Sequence, residues 1–213
     1  MVMQQQKGIK WYFFPIVILG WVALMAQFYL IIENRIAPIP ETIIRYFSFY
    51  TILTNLLVAV CFSFLLVKPK SVWGLFFSKP GVITAITVYI TIVGLVYNVI
   101  LRFLWKPEGL QFIVDELLHT VIPLLCIVFW TVYVMKSALK WKDAFPWLIY
   151  PLVYIIVILI RGAMSGFYPY PFININDIGY NEVLINSGIL SLGFLFFSFL
   201  YIAIGKMINR RTF

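Results

Sequence analysis

A chain of 213 residues that is 63% hydrophobic, 19% aromatic and only 11% charged is too apolar for a water-soluble domain, where about half the residues are apolar and about a quarter charged. The formal net charge of +8 would suit a nucleic-acid binder, but the basic residues sit at the ends of apolar runs and form no stripe with interleaved aromatics, which excludes nucleic acid as a partner. What is left is an integral membrane protein.

A helix needs about 20 mostly apolar residues to cross the bilayer core. Six stretches of that kind follow one another: Trp11 to Ile32, Phe47 to Val67, Val82 to Leu104, Phe112 to Val134, Pro146 to Phe167 and Val183 to Met207. Barrel strands, which alternate weakly over about ten residues, do not give such continuous runs. The first run is too long for a signal-peptide core and lacks a small-residue cleavage site, so it is expected to be helix 1. Pro15, Pro123 and Pro151 lie inside the first, fourth and fifth runs, where they are expected to kink or locally unwind the helix. Cys61 and Cys126 fall deep in the second and fourth and read as small buried hydrophobes, not as a disulfide framework. The expected fold is all-α: a polytopic membrane protein of six transmembrane helices in one bundle, a single domain over residues 1–213.

Short cytoplasmic loops accumulate lysine and arginine. Lys7, Lys10, Lys68, Lys70, Lys79, Lys136, Lys140, Lys142, Lys206, Arg210 and Arg211 all fall on one side of the expected membrane, against Arg35, Arg45, Arg102 and Lys106 on the other. Both termini are therefore expected in the cytoplasm, and the cell membrane is the expected location. The outer connections carry the turn chemistry: Ala37-Pro38-Ile39-Pro40, Lys106-Pro107-Glu108-Gly109, and Tyr168-Pro169-Tyr170-Pro171-Phe172. The last belongs to a connection that is long and aromatic for a plain linker, and it is expected to fold back over the outer mouth as a cap. No heptad pattern or internal repeat is present, and no oligomeric state follows from the chain.

With about 1.5 Å of rise per residue, the polar residues inside the spans can be set at depths. His119 (the single histidine), Thr51 and Thr54 come out roughly 9 to 13 Å below the outer surface, with Gln27, Asn98 and Arg161 at similar levels and Asn186 and Ser187 slightly higher. A shared polar layer in the outer half is expected, over an apolar inner half. An intramembrane arginine needs a partner, and for Arg161 the available anions are Asp115 and Glu116. Asp115 and Glu116 precede His119 by four and three residues and share a helix face with it. Ser48, Thr51 and Asn55 share a face of the second span, with Thr54 beside it.

Three kinds of site could use these groups. In nucleophilic catalysis a hydroxyl of Thr51, Ser48 or Thr54 is activated by His119 as base, with Asp115 or Glu116 orienting the ring and Arg161 or an asparagine such as Asn98 stabilising an oxyanion. A metal site is suggested by Glu116-x-x-His119, half of a di-iron signature, but there is no second copy and no other histidine, so no metal or other cofactor is expected. An ion relay would need a polar path through the inner half, which the chain lacks. Outside these, Ser, Thr and Asn can simply glue helices together.

The stretches Tyr46 to Leu57, His119-Thr120-Val121-Ile122-Pro123, and Arg161-Gly162-Ala163 with Tyr168-Pro169-Tyr170-Pro171-Phe172 resemble the bacterial six-helix family labelled Pr-six-Pr over essentially the whole chain. That family is in turn similar, more distantly, to the androgen-induced gene family, multi-pass hydrolases that cleave fatty acid esters of hydroxy fatty acids with a threonine and a histidine. The resemblance implies His119 as the base and Thr51, followed by Asn55, as the nucleophile, with Ser48 and Thr54 as alternatives under small shifts. Where those hydrolases have a second histidine just ahead of the catalytic one, this chain has Asp115 and Glu116. The expected function is hydrolysis of a membrane lipid or lipid-like ester. The alternative is a non-catalytic lipid-binding or small-solute transport protein in which Arg161 anchors an anion.

Overall fold

The computed structural model describes residues 9–104 and 106–210. Lys7 and Arg211, which help to orient the chain above, lie outside them. Among the described residues all regular structure is helical, and six segments are long and apolar enough to cross a membrane: Lys10–Glu33, Tyr50–Val67, Pro80–Phe103, Gly109–Tyr133, Trp141–Ser165 and Ile175–Ile208. All six expected spans are present, the makeup of a multi-pass membrane protein.

The first span is α1 (Ile9–Glu33), which runs past Pro15 without a break. The second is preceded by a separate short helix, α2 (Ile39–Tyr46), and α3 itself starts at Tyr50 and ends at Val67. Ala37-Pro38-Ile39-Pro40 therefore launches a helix as well as turning the chain, because a proline in the first helical turn forfeits only an N–H that has no partner there. The next connection holds α4 (Val72–Phe77), capped by Ser71 Oγ, which accepts from Gly74 N–H at 3.1 Å. The third span, α5 (Pro80–Val99), gives way after Ile100 to a tight turn over Leu101–Phe103.

The fourth span is composite: α6 (Gly109–Glu116), a π-helical turn over Leu117–Val121, then α7 (Ile122–Tyr133). In the fifth the break falls at Leu148, between α8 (Ala144–Trp147) and α9 (Ile149–Ser165). Pro151 thus lies in the first turn of α9 and unwinds nothing. The last span, α10 (Ile175–Arg210), begins eight residues before the expected Val183 and bends at Gly179, whose φ of 79° and ψ of 166° are not helical.

At the centre stands α5, packed against α3, α7 and α10. Of its most apolar window 72% is buried, against 22% for α1. Each buried hydroxyl along it has a partner: Thr84 Oγ1 receives Trp130 Nε1–H at 2.9 Å, Thr87 donates to Ile83 O at 2.8 Å, and Thr91 meets Tyr201 Oη at 2.7 Å. Inside a bundle an unpaired polar atom would cost a few kcal/mol, so these bonds let a threonine-rich helix occupy the core.

Candidate active site

The site is built around Pro123. In an unbroken α-helix Leu118 O would accept from Ile122 N–H, and His119 O from the N–H of residue 123. Ile122 N–H is instead bonded to Leu117 O, and residue 123 is a proline with no N–H. Neighbouring helices supply the missing donors. Asn55 Nδ2 of α3 reaches Leu118 O at 3.2 Å, and Asn98 Nδ2 of α5 reaches His119 O at 3.2 Å. The wider π-turn carries His119 into the bundle, where it is only 9% exposed.

Two contacts fix the imidazole. Its ring stacks on Tyr97 with centroids 3.9 Å apart and planes 12° from parallel. Its Nδ1 lies 2.9 Å from the backbone carbonyl of Asp115, one turn back on the same helix. A carbonyl only accepts, so Nδ1 carries the proton and Nε2 presents a lone pair. That lone pair faces Thr51 Oγ1 at 3.4 Å. Thr51 lies in the first turn of α3, and Asn55 Nδ2, which holds the π-turn, also donates to Thr51 O at 2.9 Å, tying Thr51 and the segment that carries His119 to one amide. Catalytic hydrogen bonds are often longer before substrate binds than the roughly 2.6 to 3.2 Å of the working complex.

Above Thr51 lies the connection between α9 and α10, folded back over the site as expected of a cap. Tyr170 reaches down from it: its Oη accepts from Thr51 N–H at 3.3 Å and lies 3.4 Å from Thr51 Oγ1. Its ring stacks on Phe172 and meets Phe49 edge-on. The cap is anchored at both ends. Gly162 leaves room for Tyr168, whose ring would stand 2.0 Å from a Cβ there, and Asn186 Nδ2 donates to Phe172 O at 2.9 Å. A chamber of about 930 Å³ opens between the cap, α1, α3, α5 and α6, with Thr51, His119, Asp115, Gln27, Gln111 and Tyr170 in its wall. Asn34, Glu108 and Pro169, from three connections, also line it, so the chamber lies at that end of the bundle.

The expected polar layer resolves into separate clusters. Of the three candidate hydroxyls, only Thr51 meets His119. Ser48, in the turn before α3, donates to Ile44 O at 2.7 Å, and Thr54 pairs with Tyr150 Oη at 3.3 Å. Asn98 serves the carbonyl that Pro123 leaves open and also accepts from Arg102 Nη1 at 2.6 Å through its Oδ1. Asp115 orients the ring through its backbone carbonyl and not, as expected, through its carboxylate, which accepts from Gln111 Nε2 at 2.9 Å and Tyr97 Oη at 3.4 Å. Glu116 is ion-paired with Arg102.

Arg161 is likewise corrected. It pairs with neither Asp115 nor Glu116 but with Glu41 of α2, at 2.7 Å, and donates to Phe167 O at 3.3 Å. Glu41 also binds Arg45 at 2.8 Å, and both guanidiniums lie over the Phe167 ring, at 4.5 Å for Arg45 and 5.0 Å for Arg161. Arg161 lines no part of the chamber. Its work is to fasten α2, α9 and the start of the cap together. The hydrogen bond from Arg45, with that from Arg161, holds the Glu41 carboxyl below its ordinary range.

Three contributors escaped the sequence reading: Tyr170, Tyr97 and Gln111. Tyr170 did carry a signal, since a tyrosine held between two prolines in a long cap is an aromatic aimed by a stiff backbone. Against known proteins, no family model, no curated protein and no solved structure matches the chain.

Proposed function

We propose that the protein is an intramembrane hydrolase of lipid esters in which Thr51 is the nucleophile and His119 the base. One observation carries this reading: Thr51 Oγ1 and His119 Nε2 face each other at 3.4 Å while the other ring nitrogen is bonded to a carbonyl, so the free lone pair points at the hydroxyl. The resemblance to threonine hydrolases and the apolar surroundings of the chamber support a lipid substrate entering sideways from the bilayer. The charge distribution supports a cell-membrane protein with both termini in the cytoplasm and the chamber on the outer side.

In the proposed reaction His119 Nε2 takes the proton of Thr51 Oγ1 as that oxygen attacks the ester carbonyl carbon. The Tyr170 hydroxyl, 3.4 Å from Thr51 Oγ1, is a donor available to the developing oxyanion. Collapse breaks the bond to the alcohol oxygen, which receives the proton from His119. A water, deprotonated by the same nitrogen, then attacks the acyl-Thr51 ester, releasing the acid and restoring the hydroxyl. The Arg161 anion-anchor alternative loses its support, because that guanidinium is bound to Glu41 outside the chamber.

The test is labelling of the membrane-embedded chain by a fluorophosphonate probe. Wild type and Thr51→Ser react, whereas Thr51→Ala and His119→Ala do not. Labelling that persists in both alanine variants rules the roles out.

A further inference from the structure

Beside the chamber lies a second, smaller cavity between α3, α5, α9, α10 and the cap, and Thr51, Leu101 and Tyr170 line both. Their walls differ in polar content. The smaller one is bounded by Ile92, Val96, Ile155, Leu190 and Phe194. Its bordering Ser187, Ser191 and Tyr154 turn their hydroxyls to backbone carbonyls, at 2.7, 2.8 and 2.8 Å, so apart from the hydroxyls of Tyr50, Thr51 and Tyr170 the surface left to a ligand is apolar. The chamber wall is also mainly apolar but adds Gln27, Asn34 and Gln111 with the carboxylates of Glu108 and Asp115, and it holds no Lys or Arg among the described residues.

We infer that the two cavities divide the substrate at its ester bond: a short acyl chain in the apolar lobe, and in the chamber a bulkier, polar alcohol portion without anionic groups. This rests on the hydrolase reading above. The carbonyl carbon must lie at Thr51 Oγ1, and Thr51 lines both cavities, so one side of the ester faces each. Matching surfaces decides which: a hydrocarbon chain leaves water for the apolar lobe, and an anionic alcohol portion would be repelled by the chamber's carboxylates. Size sets the chain. One water needs about 10 to 15 Å³ on the scale by which the lobe measures about 70 Å³, so the lobe takes about five to seven groups of that size, and a methylene is close to one.

The experiment measures kcat/KM of the full-length chain on p-nitrophenyl esters with acyl chains of graded length from acetate to dodecanoate. Wild type is expected to peak at about six carbons. Ser191→Phe, which fills the lobe, lowers the hexanoate-to-acetate ratio by about tenfold or more, and Leu190→Ala, which enlarges it, moves the peak to longer chains. A carboxylate on the phenol ring of a matched ester slows cleavage by about tenfold. Cleavage with one chain-length profile in all three proteins overturns the acyl lobe, and equal rates with and without the carboxylate overturn the assignment of the chamber.

If wild type cleaves no ester, the hydrolase reading fails and the lobe is judged by thermal stabilisation with alkyl methyl ketones of graded length. A maximum near six chain carbons that Ser191→Phe abolishes supports it. Stabilisation without length dependence overturns it. Should Ser191→Phe fail to fold, Leu190→Ala gives the same contrasts with the sign reversed.

Discussion

Gly94 lies so close to His119 that a Cβ on it would stand 2.9 Å from the His119 carbonyl oxygen and 3.2 Å from Cβ of Pro123. The π-turn that carries His119 is thus seated directly on the backbone of α5. Gly94→Ala should push the two apart, costing about 1 to 3 kcal/mol as an overpacked contact and lowering probe labelling by up to about 100-fold through misplacement of the ring. Gly188→Ala, where a Cβ meets nothing within 4 Å, should leave both unchanged. Thermal unfolding and labelling rate, read in parallel, check this.

The three candidate hydroxyls should separate cleanly. Thr54→Val removes the bond to Tyr150 and Ser48→Ala removes a local back-bond, each costing about 1 kcal/mol of stability, with labelling retained. Loss of labelling in Thr54→Val with a normal melting temperature would transfer the nucleophile from Thr51 to Thr54.

Asn98 and Pro123 should be energetically coupled. Asn98→Leu leaves His119 O without its donor and should cost about 1 to 3 kcal/mol. In a Pro123→Ala background the helix regains an N–H at position 123, so the same change should cost less, with a coupling of about 0.5 kcal/mol or more in a double-mutant cycle. Additive effects would refute the account of the π-turn.

The Glu41 cluster sets a pH dependence. Its arginine hydrogen bonds depress the folded-state carboxyl below the ordinary value of 4.5, so its stabilisation is fully present above that value and is lost as the pH falls through the folded one. Melting temperature measured from neutral pH downward should fall more steeply below about pH 4.5 in wild type than in Glu41→Gln, the two curves converging as the carboxyl protonates. Parallel curves would mean that Glu41 carries no such linkage. Arg161→Met should destabilise the protein while leaving labelling intact, because the guanidinium lies outside the chamber.

The six spans were legible because a bilayer demands long apolar runs, and those runs admit few other readings. The depth that His119 shares with the second span was legible too, but helical rise set Thr51 and Thr54 alike at that level and only the family resemblance favoured Thr51. Less was visible of what depends on short amphipathic pieces. The sequence leaves Glu41 in a turn and offers Arg161 the carboxylates nearest in depth, although its partner lies 120 positions away on α2, a helix with no span to announce it. Depth also says nothing of direction around a helix: Glu116 and Asp115 share a level, yet one turns to Arg102 and the other to Gln111. The part played by Tyr170 was hidden for a third reason, because its placement depends on how the cap folds and not on any periodicity.

The π-turn over Leu117–Val121 also acts as a phase shifter. One extra residue in a helical turn is worth about 100° of rotation, so absorbing it locally lets α6 and α7 each keep their own inward faces. Gln111 and Asp115 can then look into the chamber while Phe129 and Trp130, further along the same span, stay in the apolar core. A single-residue deletion within that turn would not merely shorten the helix. It would put the two halves of the span out of step, and either the chamber or the core would lose its wall.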